Sequence, residues 1–426
     1  MAILLKDITV DGIRKDMLID KGLIARIEPQ GSSALWPLAG DLEIMDCRGK
    51  VAIPAFVNMH THSPMTLMRG IGEDIAFQQW LSRIWKVEES IDYDYVYWAT
   101  KVACLEMIRS GCATFNDQYW FFEASVKACE EMGLRIATGY DVMDKMDPAE
   151  AERQKEQCIA KTELFLNGKH PGLIYELNFH AIYSVSEQMM LWVSDYAKKN
   201  NLNLHIHLSE TRKEVEDCKA LHGGLSPVEY LDRLGILSDR LIAAHTLWIS
   251  PRDIELLGKR GVSCVHNINS NTKLSSGYCF RYKELQDAGA NVCIGTDGCA
   301  SSNNLDMLEA MKTSALFQKA WRDDPSAMPL DTLMDMATIN GAKALRINSG
   351  VLREGARADL SIIDTDSTYF LSEGPFLANL VYSAHSDCID SLICDGRFLM
   401  REREIPQEKE ILHQARKVLK KISQKQ

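Results

Sequence analysis

A (β/α)8 barrel with strand-rich flanks is the fold class this sequence predicts, on three observations. Eight short apolar segments alternate with longer helical ones across residues 54–345. Both flanks of that region switch to short strands separated by tight turns. Nearly every residue with evident chemistry falls at the carboxyl end of one of the eight segments.

Taken in order, residues 1–53 read as "DITVDG", "DMLIDKGLIARIEP" and "EIMDCRGKVAIP", with Asp-Gly and Lys-Gly as hairpin signals. The candidate barrel strands are "AFVNMH" (55–60), "ATFND" (113–117), "RIATGYDV" (135–142), "LIYELNFH" (173–180), "LNLHIHL" (202–208), "LIAAHTL" (241–247), "VSCVHNI" (262–268) and "NVCIGTDG" (291–298). Helical stretches such as "DYVYWATKVACLEMIRSG" and "SEQMMLWVSDYAKKN" lie between most of them. A doubly wound parallel sheet uses the same repeats and stays open at this point. Residues 346–401, with "ADLSIIDTDS" and "SLICDGRFLM", return to the texture of the first flank. Residues 402–426 are expected to end in a helix. Its stripe of Ile411, Leu412, Ala415, Val418, Leu419 and Ile422 packs on the body, with basic residues opposite.

Composition narrows the class. The chain has 426 residues, 46% of them hydrophobic and 25% charged, enough apolar material for a large core. A net charge of −11 disfavours nonspecific binding to nucleic acid or anionic membrane. Lys6 and Asp7 interrupt "MAILLKDITV" too early for a signal peptide, and no apolar run reaches the roughly 20 residues of a membrane span. The twelve cysteines include no C-x-x-C pair and sit mostly in apolar runs, as expected for reduced, buried thiols in a cytoplasmic protein.

His60 and His62 end the first barrel strand, Asp117 the second and His180 the fourth. The fifth ends with His205, His207 and, just beyond, Glu210; His245, His266 and Asp297 lie on the sixth, seventh and eighth. In a parallel barrel these ends share one face. Strand periodicity puts His60 and His62 on the same side, so both imidazoles can reach one ion at about 2.0–2.1 Å. A third imidazole and a carboxylate complete such a site, with His207 and Asp297 the natural candidates. Any one of these histidines alone reads more readily as a hydrogen-bonded core residue than as a ligand; the set is what points to metal. His170, His222, His385 and His413 lie in loops or outer helices and read as solvated.

"VNMHTH", "HIHLSE", "AAHT", "HNINSN" and "GTDGCASSNN" occur in the order of the motifs of the amidohydrolase superfamily's aminohydrolase branch, which the whole chain resembles. The resemblance implies a distorted (β/α)8 barrel plus a small β-sandwich built from both chain ends. It also implies one divalent metal ion, zinc or iron, on His60, His62, His207 and Asp297. "YELNFHA" offers His180 and no lysine at the fourth strand, which favours a single metal. The stretch "QQWLSRIWKVEESI" is similar to the 5′-methylthioadenosine/S-adenosylhomocysteine deaminase subgroup, in which Glu88 would bind the ribose hydroxyls and His180 would touch substrate. Lys86 replaces a usual proline, and Ser302 a usual asparagine. Tyr140 stands where some members use an arginine for the amino-acid carboxylate, a task Arg153 would share. Methylthioadenosine is thus expected ahead of S-adenosylhomocysteine or adenosine.

The resemblance also implies roles. Asp297 takes the proton of the water that attacks C6, Glu210 protonates N1 and contacts the ring, and His245 orients the water. His205 is expected to lie behind the ligands or in the core, and His266 and Asp117 lie near the site with no assigned role, as readily structural as supporting it. "DQYWFFE" (117–123) walls the pocket or packs barrel against helix. A homo-oligomer is expected. The rival readings are an aminohydrolase or chlorohydrolase acting on a free purine, pterin or triazine ring, and a non-catalytic barrel serving as a binding module. A nucleic-acid deaminase lacks its H-x-E…P-C-x-x-C motif here.

Overall fold

Asp11-Gly12 and Lys21-Gly22 have φ of 51° and 75°, and of 50° and 80°, the doubly left-handed turn that suits a two-residue hairpin. They join β1 (Ala2–Val10), β2 (Ile13–Asp20) and β3 (Leu23–Pro29). β4 (Leu42–Asp46) and β5 (Lys50–Pro54) complete the first flank; the computed structural model describes residues 2–36 and 42–423. The next eight strands are β6 (Phe56–Thr61), β7 (Cys112–Asp117), β8 (Arg135–Val142), β9 (Leu173–Phe179), β10 (Leu204–Leu208), β11 (Leu241–His245), β12 (Ser263–His266) and β13 (Asn291–Ile294). β14 (Leu360–Asp364), β15 (Ile389–Cys394) and β16 (Arg397–Met400) make up the last flank.

β6 to β13 form one sheet in chain order, with every paired neighbour parallel. A doubly wound sheet reverses its strand order, so that alternative is excluded. The first and last strands meet across a seam. The Asp297 amide donates to the His60 carbonyl at 2.9 Å. Asn58 Nδ2 donates to Thr296 Oγ1 at 2.7 Å, and the Thr296 amide returns a bond to Asn58 Oδ1 at 3.0 Å. β6, β7, β10, β11 and β12 are buried along their whole length, as strands covered by helices outside and filled with side chains inside must be. The eighth strand stops at Ile294, short of the predicted Gly298, because Asp297 has φ 63° and leaves the extended region.

Local chemistry sets where helices begin. Ser226-Pro227 and Ser250-Pro251 open two of them with reciprocal capping boxes to Glu229 and Asp253. At the end of the chain, Glu408–Ser423 is helical; Ile411, Ala415, Val418 and Ile422 are buried, Leu412 and Leu419 half-buried. Its first turn is tied to the body by the Arg109 guanidinium on Glu408. All twelve cysteines are free, and all but Cys279 are buried. Among the described residues, no helix is long and apolar enough to cross a membrane.

The two chain ends build the second sheet, in the order β16-β15-β14-β5-β1-β2-β3 with β4 also on β1. It closes over a core of its own that includes Ile3, Leu5, Ile8, Met17, Ile19, Leu360 and Ile362. One buried cation fastens this sheet to the barrel. Arg135, at the start of β8, donates to Asp359 at 2.7 Å and Thr114 at 2.9 Å and lies 2.6 Å from Asp395. Burial disfavours the charged guanidinium, but the two carboxylates outweigh it and raise its pKa. Arg135→Ala leaves the buried Asp359 without its cation, while Asp395 keeps Arg357, and is expected to cost about 3–5 kcal/mol, read from the urea midpoint. Its metal content should stay unchanged, since the strand ends that bear the histidines lie at the opposite face.

Candidate active site

The chain turns sharply at the strand ends that carry the predicted residues. Ser209, His245, Thr246 and Asp297 all have positive φ, at 53°, 73°, 43° and 63°. Side chains other than glycine rarely sit there, and the strain is held only where the surroundings enforce it. The turns aim His245 and Asp297 into a space already reached by His60, His62 and His207. His62 Nε2 lies 3.2 Å from His207 Nε2, and Asp297 Oδ1 lies 3.4 Å from His62 Nε2 and 3.6 Å from His60 Nε2.

Hydrogen bonding on the far side of each ring says what these nitrogens carry. His62 Nδ1–H donates to the Gln118 carbonyl at 2.6 Å, and His207 Nδ1–H to the His180 carbonyl at 2.8 Å. A carbonyl only accepts, so both Nε2 atoms present lone pairs to each other. His60 Nε2 is buried without a hydrogen-bond partner. Two lone pairs, the unpartnered His60 Nε2 and a carboxylate oxygen therefore converge, an arrangement that a cation relieves. The donor set fits a divalent metal, and the ligating atoms of His60, His62 and His207 lie within 4.8 Å of one another. His245 belongs to a similar group with His60 and Asp297 but is held differently. Asn271 Nδ2 faces its Nδ1 at 2.9 Å and Asn267 Nδ2 at 3.3 Å, which leaves the proton on Nε2. Burial lowers its pKa to about 4, so the ring is neutral and presents a donor.

Glu210 Oε2 lies 3.8 Å from that Nε2. Burial, and after it the Asp297 carboxylate, holds the Glu210 carboxyl well above the usual range, which favours its protonated form. Its backbone is pinned by Glu214, whose carboxylate takes the Ser209 amide at 2.7 Å and the Glu210 amide at 2.8 Å. Asp117 does the same for the turn after β6, accepting from Thr61 Oγ1 and from the amide and hydroxyl of Ser63, either side of His62. His266 is buried, its ring stacked on Phe280 at 4.3 Å.

An inner cavity of about 70 Å³ touches His62, His207, His245, Asp297 and Glu210 at its floor, and Trp85, Glu88 and His180 along its side. Glu88 ends the Phe77–Glu88 helix, half-buried; burial raises its pKa against hydrogen bonds from Tyr119 and Trp120. His180 Nδ1 meets Ser184 Oγ at 2.8 Å, and burial lowers its pKa to about 3. Tyr140 and Arg153 line a separate outer cavity of about 750 Å³ instead. Arg153 is clamped on Glu150 at 2.8 Å and 2.5 Å, and Tyr140 donates to Gln157 at 2.8 Å. Tyr119, Trp120, Asp141 and Met143 are common to both cavities.

The amidohydrolase family profile matches residues 51–399. The chain belongs to the amidohydrolase family. This amidohydrolase is 43% identical over 376 residues to a 5′-deoxyadenosine deaminase of Methanoregula boonei, covering 87% of this chain and 84% of that one. It is 39% identical over 384 residues to 5-methylthioadenosine/S-adenosylhomocysteine deaminase 1 of Archaeoglobus fulgidus, covering 89% and 90%. An adenosine deaminase from Xanthomonas campestris, solved with bound zinc, superposes with a TM-score of 0.88 at 29% identity, over 99% of this chain and 98% of that one.

Several residues of this amidohydrolase's site escaped the sequence reading. Glu214, Asn271 and Gln118 act on the backbone or on the far side of a ring, roles with no spacing to betray them. Asp141, one position from Tyr140, is pushed up to about 7 by burial and takes a hydrogen bond from Gln118 Nε2 at 3.1 Å. The site is expected to hold about one divalent ion per chain. His62→Ala or Asp297→Ala should reduce that to a small fraction of an ion, read by elemental analysis after desalting.

Proposed function

We propose that this amidohydrolase is a hydrolytic deaminase of adenine nucleosides. It exchanges the 6-amino group for oxygen and releases ammonia, on substrates with a small 5′ group such as 5′-deoxyadenosine or 5′-methylthioadenosine. The supporting observation is that one cavity joins the Glu210, His245 and Asp297 cluster to the Glu88 carboxylate. A free base would need only the first; a carboxylate beside it accepts the hydroxyl hydrogens of a ribose. The names of the relatives point the same way.

In this reading His60, His62, His207 and Asp297 hold one zinc ion, the metal for which three imidazoles and a carboxylate are an ordinary set. When bound, it supplies the Lewis acidity that brings the ionisation of water towards neutral pH. Asp297 accepts the proton of the water that adds to C6. Glu210, protonated in its buried setting, gives its proton to N1, so the ring can take up the electron pair. His245 Nε2–H donates to the incoming oxygen and holds it over the ring. Asp297 then passes its proton to the amino group, which leaves as ammonia; the proton left on the C6 oxygen returns to Glu210, and the hypoxanthine nucleoside remains.

The inner cavity, at about 70 Å³, falls short of the roughly 300 Å³ at the lower end of ligand pockets. The Phe77–Glu88 helix supplies one wall and fully buries only Trp80 and Ile84. So few buried contacts make it the element that gives way to admit a nucleoside. Trp80 and Trp85 lie on it, so an unreactive nucleoside analogue should change their fluorescence; unchanged emission would argue for a rigid pocket.

Glu210→Gln is expected to keep the metal and lower kcat by ~10²–10⁴-fold; near-normal turnover would remove Glu210 from the chemistry. Glu88→Ala should raise KM for 5′-methylthioadenosine by roughly 10- to 100-fold, the worth of a charged hydrogen bond, with kcat little changed. An ammonia-release assay across 5′-deoxyadenosine, 5′-methylthioadenosine, S-adenosylhomocysteine, adenosine, adenine and guanine tests the substrate class. Activity confined to the free bases would overturn it.

A further inference from the structure

The three converging imidazoles are not held alike. His62 and His207 lean on main-chain carbonyls, whereas His60 Nδ1 lies 3.0 Å from His205 Nε2, the two rings at 85°. Behind that contact His205 Nδ1 lies 3.5 Å from Glu176 Oε1. All three side chains are 0% exposed. Neither Glu176 oxygen nor His205 Nδ1 has a hydrogen-bond partner, and Glu176 pairs with no lysine or arginine among the described residues.

Once His60 Nε2 is given to a cation, the remaining protons have one arrangement. The His60 proton sits on Nδ1 and is donated to His205 Nε2. His205 then carries its own proton on Nδ1, facing Glu176. A gap of 3.5 Å leaves no room for a water, and a small tilt of the ring makes it a hydrogen bond. This also accounts for a fully buried carboxylate with no basic side chain beside it. Such a charge is costly unless something positive answers it, and the nearest candidate is the cation reached through the two rings.

We infer that Glu176 and His205 are positioning residues, a buried carboxylate–imidazole–imidazole chain that fixes the tautomer and ring plane of His60 and sets a negative charge behind the cation site. The inference rests on the reading of His60 as a metal ligand. Hydrogen-bonded supports of this kind are typically worth 10- to 100-fold in metal affinity.

Cobalt(II) titration of the metal-free protein against a competing chelator provides the test, with Glu176→Gln and Glu176→Leu beside the parent and His62→Ala. Both Glu176 variants should bind cobalt ~10- to 100-fold more weakly and shift its visible bands. The thermal midpoint of the metal-free Glu176→Leu protein should hold or rise, because a buried charge has been removed. A merely structural glutamate would lower that midpoint and leave the bands alone. Cobalt affinity within twofold of the parent in both variants, or an affinity loss matched by an equal loss of metal-free stability, would overturn the chain. If His62→Ala binds cobalt as the parent does, the ligand reading fails as well; if it loses cobalt while the Glu176 variants do not, the chain alone fails.

Discussion

The seam between β6 and β13 is the constraint on which the rest of the site depends. Asn58 and Thr296, 238 positions apart, exchange two hydrogen bonds, and Asp297 gives its amide to the His60 carbonyl. That amide is committed to the first strand, so the chain at Asp297 turns to φ 63° and presents its carboxylate to His60 and His62. Closure of the barrel and assembly of the donor cluster are one event. A seam this non-local forms only after the intervening strands have paired, which makes the cluster a product of the finished fold.

Inside that ring, burial and hydrogen bonding divide the titratable groups by role. His62 and His207 have their protons drawn off to carbonyls on the outer side, and His245 has its proton held towards the inner side by the amide of Asn271. Burial and the neighbouring carboxylate raise the pKa of Glu210 and favour its protonated form. Acceptors, a donor and an acid thus stand within one small buried space, each in the state its neighbours impose. Stability is handled elsewhere: Arg135 and its carboxylates clamp the second sheet to the other end of the barrel, so the strained end need not hold the molecule together.

Much of this was legible in the residues. Eight apolar segments with polar residues at their carboxyl ends have few solutions other than a parallel barrel, and the interval from His60 to His62 places both rings on one side of a strand. The same period made His205 and His207 look alike. Depth separates them: His207 stands at the rim among the lone pairs, while His205 lies behind His60 with Glu176. Tyr140 and Arg153, expected at the substrate, line the outer cavity, where Arg153 pairs with Glu150 one helical turn away.

From order and periodicity alone came the alternating strands and helices, the strand-rich flanks and the list of residues at the carboxyl ends of the strands, because those follow from local patterns repeated along the chain. Which nitrogen of each ring carries the proton, which carboxyl stays neutral, how Asp297 reaches His60 and what stands behind His60 came from packing. Those properties depend on partners far away in sequence: His180 and Gln118 carbonyls, the Asn271 amide, the Glu176 carboxylate. No local pattern records them, because each is a contact made only when the barrel has closed.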